Sequence, residues 1–220
     1  MRARVGIWVV VAFVATAHNP VRLLHAASPA RLVLNLRLKS TQDLPPFTRL
    51  ALMAETQEIW EHAHVRVRWI ERDGDAAGGP MLRVLLMARV VPAPGDESPF
   101  AVGELVRYEG DGAFAIASLT GARRIVDETR FLIVDPPQTH DRRMGVVLGR
   151  AVAHEIGHFL LQTNTHAPDG LMRARILASE FADLRGESFR LDKAAEAHLA
   201  ALAASGTFSV DAQPFSYEPQ

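Results

Sequence analysis

The sequence predicts an α+β fold: a twisted mixed sheet with one helix packed on it, a long helix carrying a histidine pair, and a small helical C-terminal lobe. Three patterns predict it. Apolar and polar residues alternate from Leu32 to Lys39, apolar residues recur at helical spacing from Leu52 to Ala63, and a longer helical pattern runs from about Arg142 to Leu161. Most strand patterns precede the longest helix, as expected when strands and helices segregate.

The chain opens with Arg2 and Arg4, an apolar run from Val5 to Val14, and small residues at Ala15 and Ala17. That run is short for a bilayer span, so residues 1–17 are expected to be a cleaved signal peptide. Ala27 is a later cleavage candidate, and an uncleaved membrane anchor is the alternative. The remainder, 18–220, is expected to form one domain that is secreted or periplasmic.

Within that domain, Leu32, Leu34, Leu36 and Leu38 have the period of a half-buried strand. Asp43, Pro45 and Pro46 signal a helix start, followed by Leu52, Met53, Thr56, Ile59, Trp60 and Ala63 on one stripe. Val65, Val67 and Trp69 form a second strand, ended by the turn residues from Asp73 to Pro80. Met81 to Val91 is more continuously apolar and is expected inside the sheet. Ala101–Tyr108 and Ala113–Leu119 read as two further strands and as a candidate exposed edge, with Phe131–Val134 as one more.

Asp141 is a candidate N-cap for the long helix, whose apolar side includes Met144, Val147, Leu148, Ala151, Val152 and Phe159. An upper lobe of about 30–161 is followed by a lower lobe of about 162–206. There Leu177–Leu184 and Leu191–Ala203 are expected to be helical, with a loose tail over 207–220.

Composition excludes several functions. The formal charge of −1 becomes about −3 once Arg2 and Arg4 leave with the leader, so no nucleic-acid-binding surface is indicated. The chain has no cysteine, which excludes disulfides, thiolate catalysis and Cys-based zinc sites. No stable membrane association is expected beyond the leader, and a monomer is expected.

The long helix contains His154-Glu155-Ile156-Gly157-His158. Histidines four apart share a helix face, so two imidazoles can meet one metal ion. Glu155 does not ligate; it is placed to take a proton from water at that metal and pass it to a leaving amine. A third ligand is still needed. On a continuous helix, His166 would lie about 12 Å beyond His158, so the chain must reverse between them. Asn164 is the candidate for the left-handed turn residue. Pro168, Asp169 and Gly170 then form a tight turn leading to Met172. His140 reads as a loop residue, and His62, His64 and His198 as surface positions.

A HEIGH motif, a later histidine and a turn ending in methionine resemble the metzincin clan of zinc endopeptidases within the HExxH zincins, the matrixins above all. The upstream order of strand, helix, several strands and motif helix is similar to that clan's N-terminal lobe. The resemblance implies a zincin-like fold and zinc as cofactor. It implies His154, His158 and His166 as metal ligands, Glu155 as catalytic base and Met172 as the Met-turn residue. Two positions depart from the pattern: Leu161 stands where the motif has glycine, and Asn164 where it has its third histidine, with His166 two residues later. The chain therefore looks more like a bacterial offshoot than a matrixin proper. Glu180, at a spacing similar to the gluzincin glutamate, is the runner-up third ligand, and Asp169 is a further alternative.

The activity implied is secreted, zinc-dependent endopeptidase hydrolysis of a peptide or protein substrate. The competing reading is a non-catalytic zincin-fold module that binds a partner or a metal.

Overall fold

The computed structural model describes residues 31–76, 78–89, 102–108, 112–129, 136–186, 188–206 and 208. The leader, the Phe131–Val134 strand and nearly all of the tail fall outside the described residues. No helix among those described is long and apolar enough to cross a membrane.

The fold is α+β, as expected, with one helix before the motif helix that the sequence does not announce. β1 (Leu32–Ser40) is followed by α1 (Pro46–His62), β2 (Val65–Trp69), β3 (Met81–Met87), β4 (Gly103–Arg107) and β5 (Ala113–Ser118). Then come α2 (Leu119–Thr129), α3 (Pro137–Leu161), the single turn α4 (Ala178–Phe181) and α5 (Lys193–Ser205). The five strands form one mixed sheet in the order β2-β1-β3-β5-β4. β1 pairs in parallel with β2 and β3, β3 pairs in parallel with β5, and only β4 runs antiparallel, against β5.

Period-two alternation sends one set of side chains to the helices. Leu34, Leu36, Leu82, Val84, Leu86, Ala115 and Ala117 are buried in the core with Leu52 and Trp60 of α1 and Val147, Leu148 and Val152 of α3. β3 is interior to the sheet as expected, yet its burial alternates along the strand, because only one sheet face carries α1 and α3.

α1 and α3 pack closely because α3 presents glycines to α1 at i and i+4. A Cβ on Gly145 would meet the Thr48 carbonyl at 2.4 Å, and one on Gly149 the Leu52 carbonyl at 2.9 Å. Thr56 Oγ1 donates to the Gly149 carbonyl across this contact. One turn before the motif, the fully buried Arg150 donates from Nε to Glu55 Oε1 at 2.6 Å. Its Nη1 donates to the carbonyls of Glu180 and Phe181, and its guanidinium lies 4.3 Å from the Phe189 ring centroid. This one side chain joins α1, α3 and the C-terminal segment.

Four boundaries differ from expectation. α3 begins at Pro137, so Asp141 is an interior residue; proline at a first helical position costs no hydrogen bond and presets φ. Leu119 opens α2 and does not end a strand: Ser118 Oγ accepts from the Gly121 amide at 3.0 Å and caps the new helix. The left-handed residue after α3 is Gln162, at φ 51° and ψ 33°, and not Asn164. The Leu177–Leu184 helix shrinks to the four residues Ala178–Phe181, whose last two carbonyls accept from the Arg150 guanidinium.

Candidate metal centre and active site

α3 is buried over most of its length, and His154 and His158 sit in its last two turns. The His154 Nδ1 lies 2.8 Å from the Leu171 carbonyl, and the His158 Nδ1 lies 2.7 Å from the Thr163 carbonyl. A carbonyl can only accept, so each Nδ1 is the donor and each Nε2 is left as a bare lone pair. These two Nε2 atoms are 3.1 Å apart.

The reversal at Gln162 brings His166 back beside them. Its ring centroid is 5.3 Å from that of His154 and 5.0 Å from that of His158. One nitrogen from each of the three histidines falls within 4.8 Å of the others. Burial pushes His154 down to about 3, helped by the neighbouring His158 and opposed by the Leu171 carbonyl. Burial likewise takes His158 down to about 4 and lowers His166. The cluster therefore holds neutral imidazoles.

Two neutral acceptors facing each other at 3.1 Å repel unless a cation lies between them. A proton is disfavoured by burial. Tetrahedral ligands at 2.0–2.1 Å from one ion are spaced about 3.3 Å apart, close to the separation found. The donor set therefore fits a divalent metal of the zinc type, with the Leu171 and Thr163 carbonyls holding the rings in orientation.

Glu155 is buried in the same helix. Burial, reinforced by the charge of Glu104, raises its carboxyl to about 8. It abuts β4: a Cβ on Gly103 would lie 2.5 Å from Glu155 Oε1. Met172 is almost fully buried, and a Cβ on Gly157, within the motif, would lie 2.2 Å from its sulfur. The Pro168–Gly170 turn that delivers Met172 is closed by the Ala167 amide donating to the Met172 carbonyl at 2.8 Å.

The remaining expectations sort cleanly. Glu180 is committed to an ion pair with Arg173, and neither it nor Asp169 joins the cluster. His62, His64 and His198 also lie outside it, as does His140, which sits in the first turn of α3 and not in a loop because that helix starts at Pro137.

No protein-family model matches this sequence, and no curated protein matches it. Among solved structures, archaemetzincin from Methanopyrus kandleri is similar, at 15% sequence identity and a TM-score of 0.45. The similarity covers 80% of this chain and 97% of that one.

Two residues at the site escaped sequence reasoning. Gly103 had a readable signal, because a glycine inside a strand marks close approach of another group. Arg107 had none: its Nη2 donates to the His158 carbonyl at 2.7 Å, a contact between residues 51 apart.

Proposed function

We propose that this chain is a secreted, zinc-dependent endopeptidase of metzincin-like kind, with His154, His158 and His166 as ligands, Glu155 as catalytic base and Met172 beneath the site. One observation carries the reading: two Nδ1-protonated, neutral imidazoles turn bare Nε2 atoms toward each other at 3.1 Å, with a third histidine beside them. The buried Met172 under Gly157 supports the metzincin affinity over a gluzincin one, as does the engagement of Glu180 with Arg173. Secretion rests on the leader pattern of residues 1–17.

When bound, zinc supplies a Lewis acid that polarises a carbonyl and lowers the pKa of water. The protein's own residues do the rest. Leu171 and Thr163 orient the ligand rings through Nδ1. Beside a divalent cation Glu155 is favoured as carboxylate, takes the proton from the attacking water and delivers it to the leaving amine. β4, paired on one side only among the described residues, leaves a main-chain edge for an extended substrate. Gly103 sets that edge beside the base.

The test is metal analysis of the purified protein alongside cleavage of a mixed peptide library, with and without chelator. About one zinc per chain and chelator-sensitive cleavage are expected. Glu155→Gln should retain zinc and lose roughly 10²- to 10⁴-fold in kcat. Undiminished turnover in that variant would remove Glu155 from the mechanism, and zinc binding with no cleavage of any peptide would favour the binding-module reading.

A further inference from the structure

We propose that Arg107 is a specificity determinant of this site, selecting substrates that carry a carboxylate a few residues from the bond cleaved. The inference rests on the peptidase reading and goes beyond it to substrate class.

β4 lies along the last turns of α3. By alternation Gly103, Leu105 and Arg107 share the face toward that helix: Gly103 backs onto Glu155, Leu105 packs on the core, and Arg107 reaches the His158 carbonyl. The distance from Gly103 to Arg107 is about 13 Å, four strand residues. An extended peptide paired to this edge with its reacting bond near Glu155 therefore passes Arg107 three or four residues away.

The remaining partners of Arg107 are the informative part. Arg37 and Arg83 pair with Asp73, Arg150 pairs with Glu55, and Arg173 pairs with Glu180. Arg107 meets only a neutral carbonyl, and no carboxylate pairs with it among the described residues. It is nevertheless exposed on one side and desolvated on the other, and this burial lowers its pKa.

The His158 carbonyl is among the last four of α3, which lack helical partners, so capping accounts for one N–H of Arg107. A neutral amide would serve that purpose. A guanidinium carries five N–H donors in a fixed fork, and those left over match a carboxylate. Held by His158, the fork is preorganised and needs no counter-ion from its own chain.

The carboxylate can be an Asp or Glu side chain or the C-terminus of the substrate, and paired peptides separate the two. The zinc-loaded full chain is assayed on peptides carrying Glu or Gln at each position around the cleaved bond, each with a free or an amidated C-terminus. In the native protein, kcat/KM for one carboxylate-bearing partner should exceed that of its amide counterpart about tenfold. In Arg107→Gln, which keeps a donor for the His158 carbonyl, that ratio should fall toward one. Arg107→Lys should give an intermediate ratio.

Binding of the same pairs to zinc-loaded Glu155→Gln, with and without Arg107→Gln, reads the preference without turnover. Zinc content checks that the site is intact. A ratio near one in the native protein, or an unchanged ratio in Arg107→Gln, overturns the inference while leaving the peptidase reading standing. Zinc-loaded protein that neither binds nor cleaves any peptide overturns both.

Discussion

Glu155 keeps its position because the residue opposite it has no side chain. The nearest strand backbone, at Gly103, would put a Cβ 2.5 Å from Glu155 Oε1 and 3.1 Å from its Cδ. Gly103→Ala therefore forces the carboxylate off the place proposed for the base, while His154, His158 and His166 are not among the atoms it meets. A displacement of about 1 Å at a reacting group costs on the order of 10²-fold in rate. The expected result is a kcat lowered by about that factor with zinc content unchanged, read by steady-state kinetics and metal analysis. A kcat equal to the native value would show that Glu155 does not act from this position. The proposed ligand pair and base were legible in the sequence, because His154, Glu155 and His158 lie within about one helical turn and their relation is set by helix geometry alone. Gly103 and Arg107 meet that helix only through sheet pairing, which no local spacing encodes.

At the scale of elements, α3 holds two of the proposed ligands and the proposed base, and its stiffness depends on what grips it. Gly145 and Gly149 admit α1 on one side, Gly157 admits Met172 on another, and Arg150 ties the helix to Glu55 and to the carbonyls after residue 179. Burial outweighs the attraction of Arg150 and leaves Glu55 with a raised pKa, so the pair is held at a cost in desolvation. Arg150→Ala removes the cation and strands Glu55 together with the Phe181 carbonyl. The expected loss is about 3–5 kcal/mol of unfolding free energy, measured by denaturant titration of the metal-free protein. A loss under about 1 kcal/mol would mean that water replaces the guanidinium freely.

The same contacts explain which elements the sequence made legible. β1, α1 and the core of α3 follow their own periodicity. α2 was hidden because Ala113–Leu119 continues an apolar strand pattern up to the helix cap at Ser118, although Leu119, Ala122, Ile125 and Val126 carry a helical stripe. Residue preference points to Asn164 for the reversal, whereas the return of the Thr163 carbonyl to His158 goes with a left-handed turn at Gln162.

For the whole molecule, the buried site groups make the stability of the metal-free protein depend on pH. His154 and His158 have folded values of about 3 and 4 against the ordinary 6.5 of a solvated imidazole. As pH falls below about 6.5, the unfolded chain takes up protons that these folded histidines refuse, so stability is lost toward acid. His166, also lowered, acts in the same direction. Glu155 has the opposite sign: its folded value of about 8 lies above the ordinary 4.5, so stability is lost as pH rises between those two values. Between about 4.5 and 6.5 the three lowered histidines outnumber the two raised carboxyls, Glu155 and Glu55, and stability rises with pH. Above 6.5 the histidines no longer contribute, and Glu155 makes stability decline until about pH 8. The metal-free protein should therefore have its highest Tm near pH 6.5. With zinc bound, Glu155 is favoured as carboxylate and the decline on the alkaline side should vanish. Proton competition for three imidazoles should steepen the acid side, moving the maximum above about pH 7. Calorimetry from about pH 5 to 8.5, with zinc and with chelator, reads both profiles. Coincident profiles would mean that the histidines and Glu155 do not share a site with the metal.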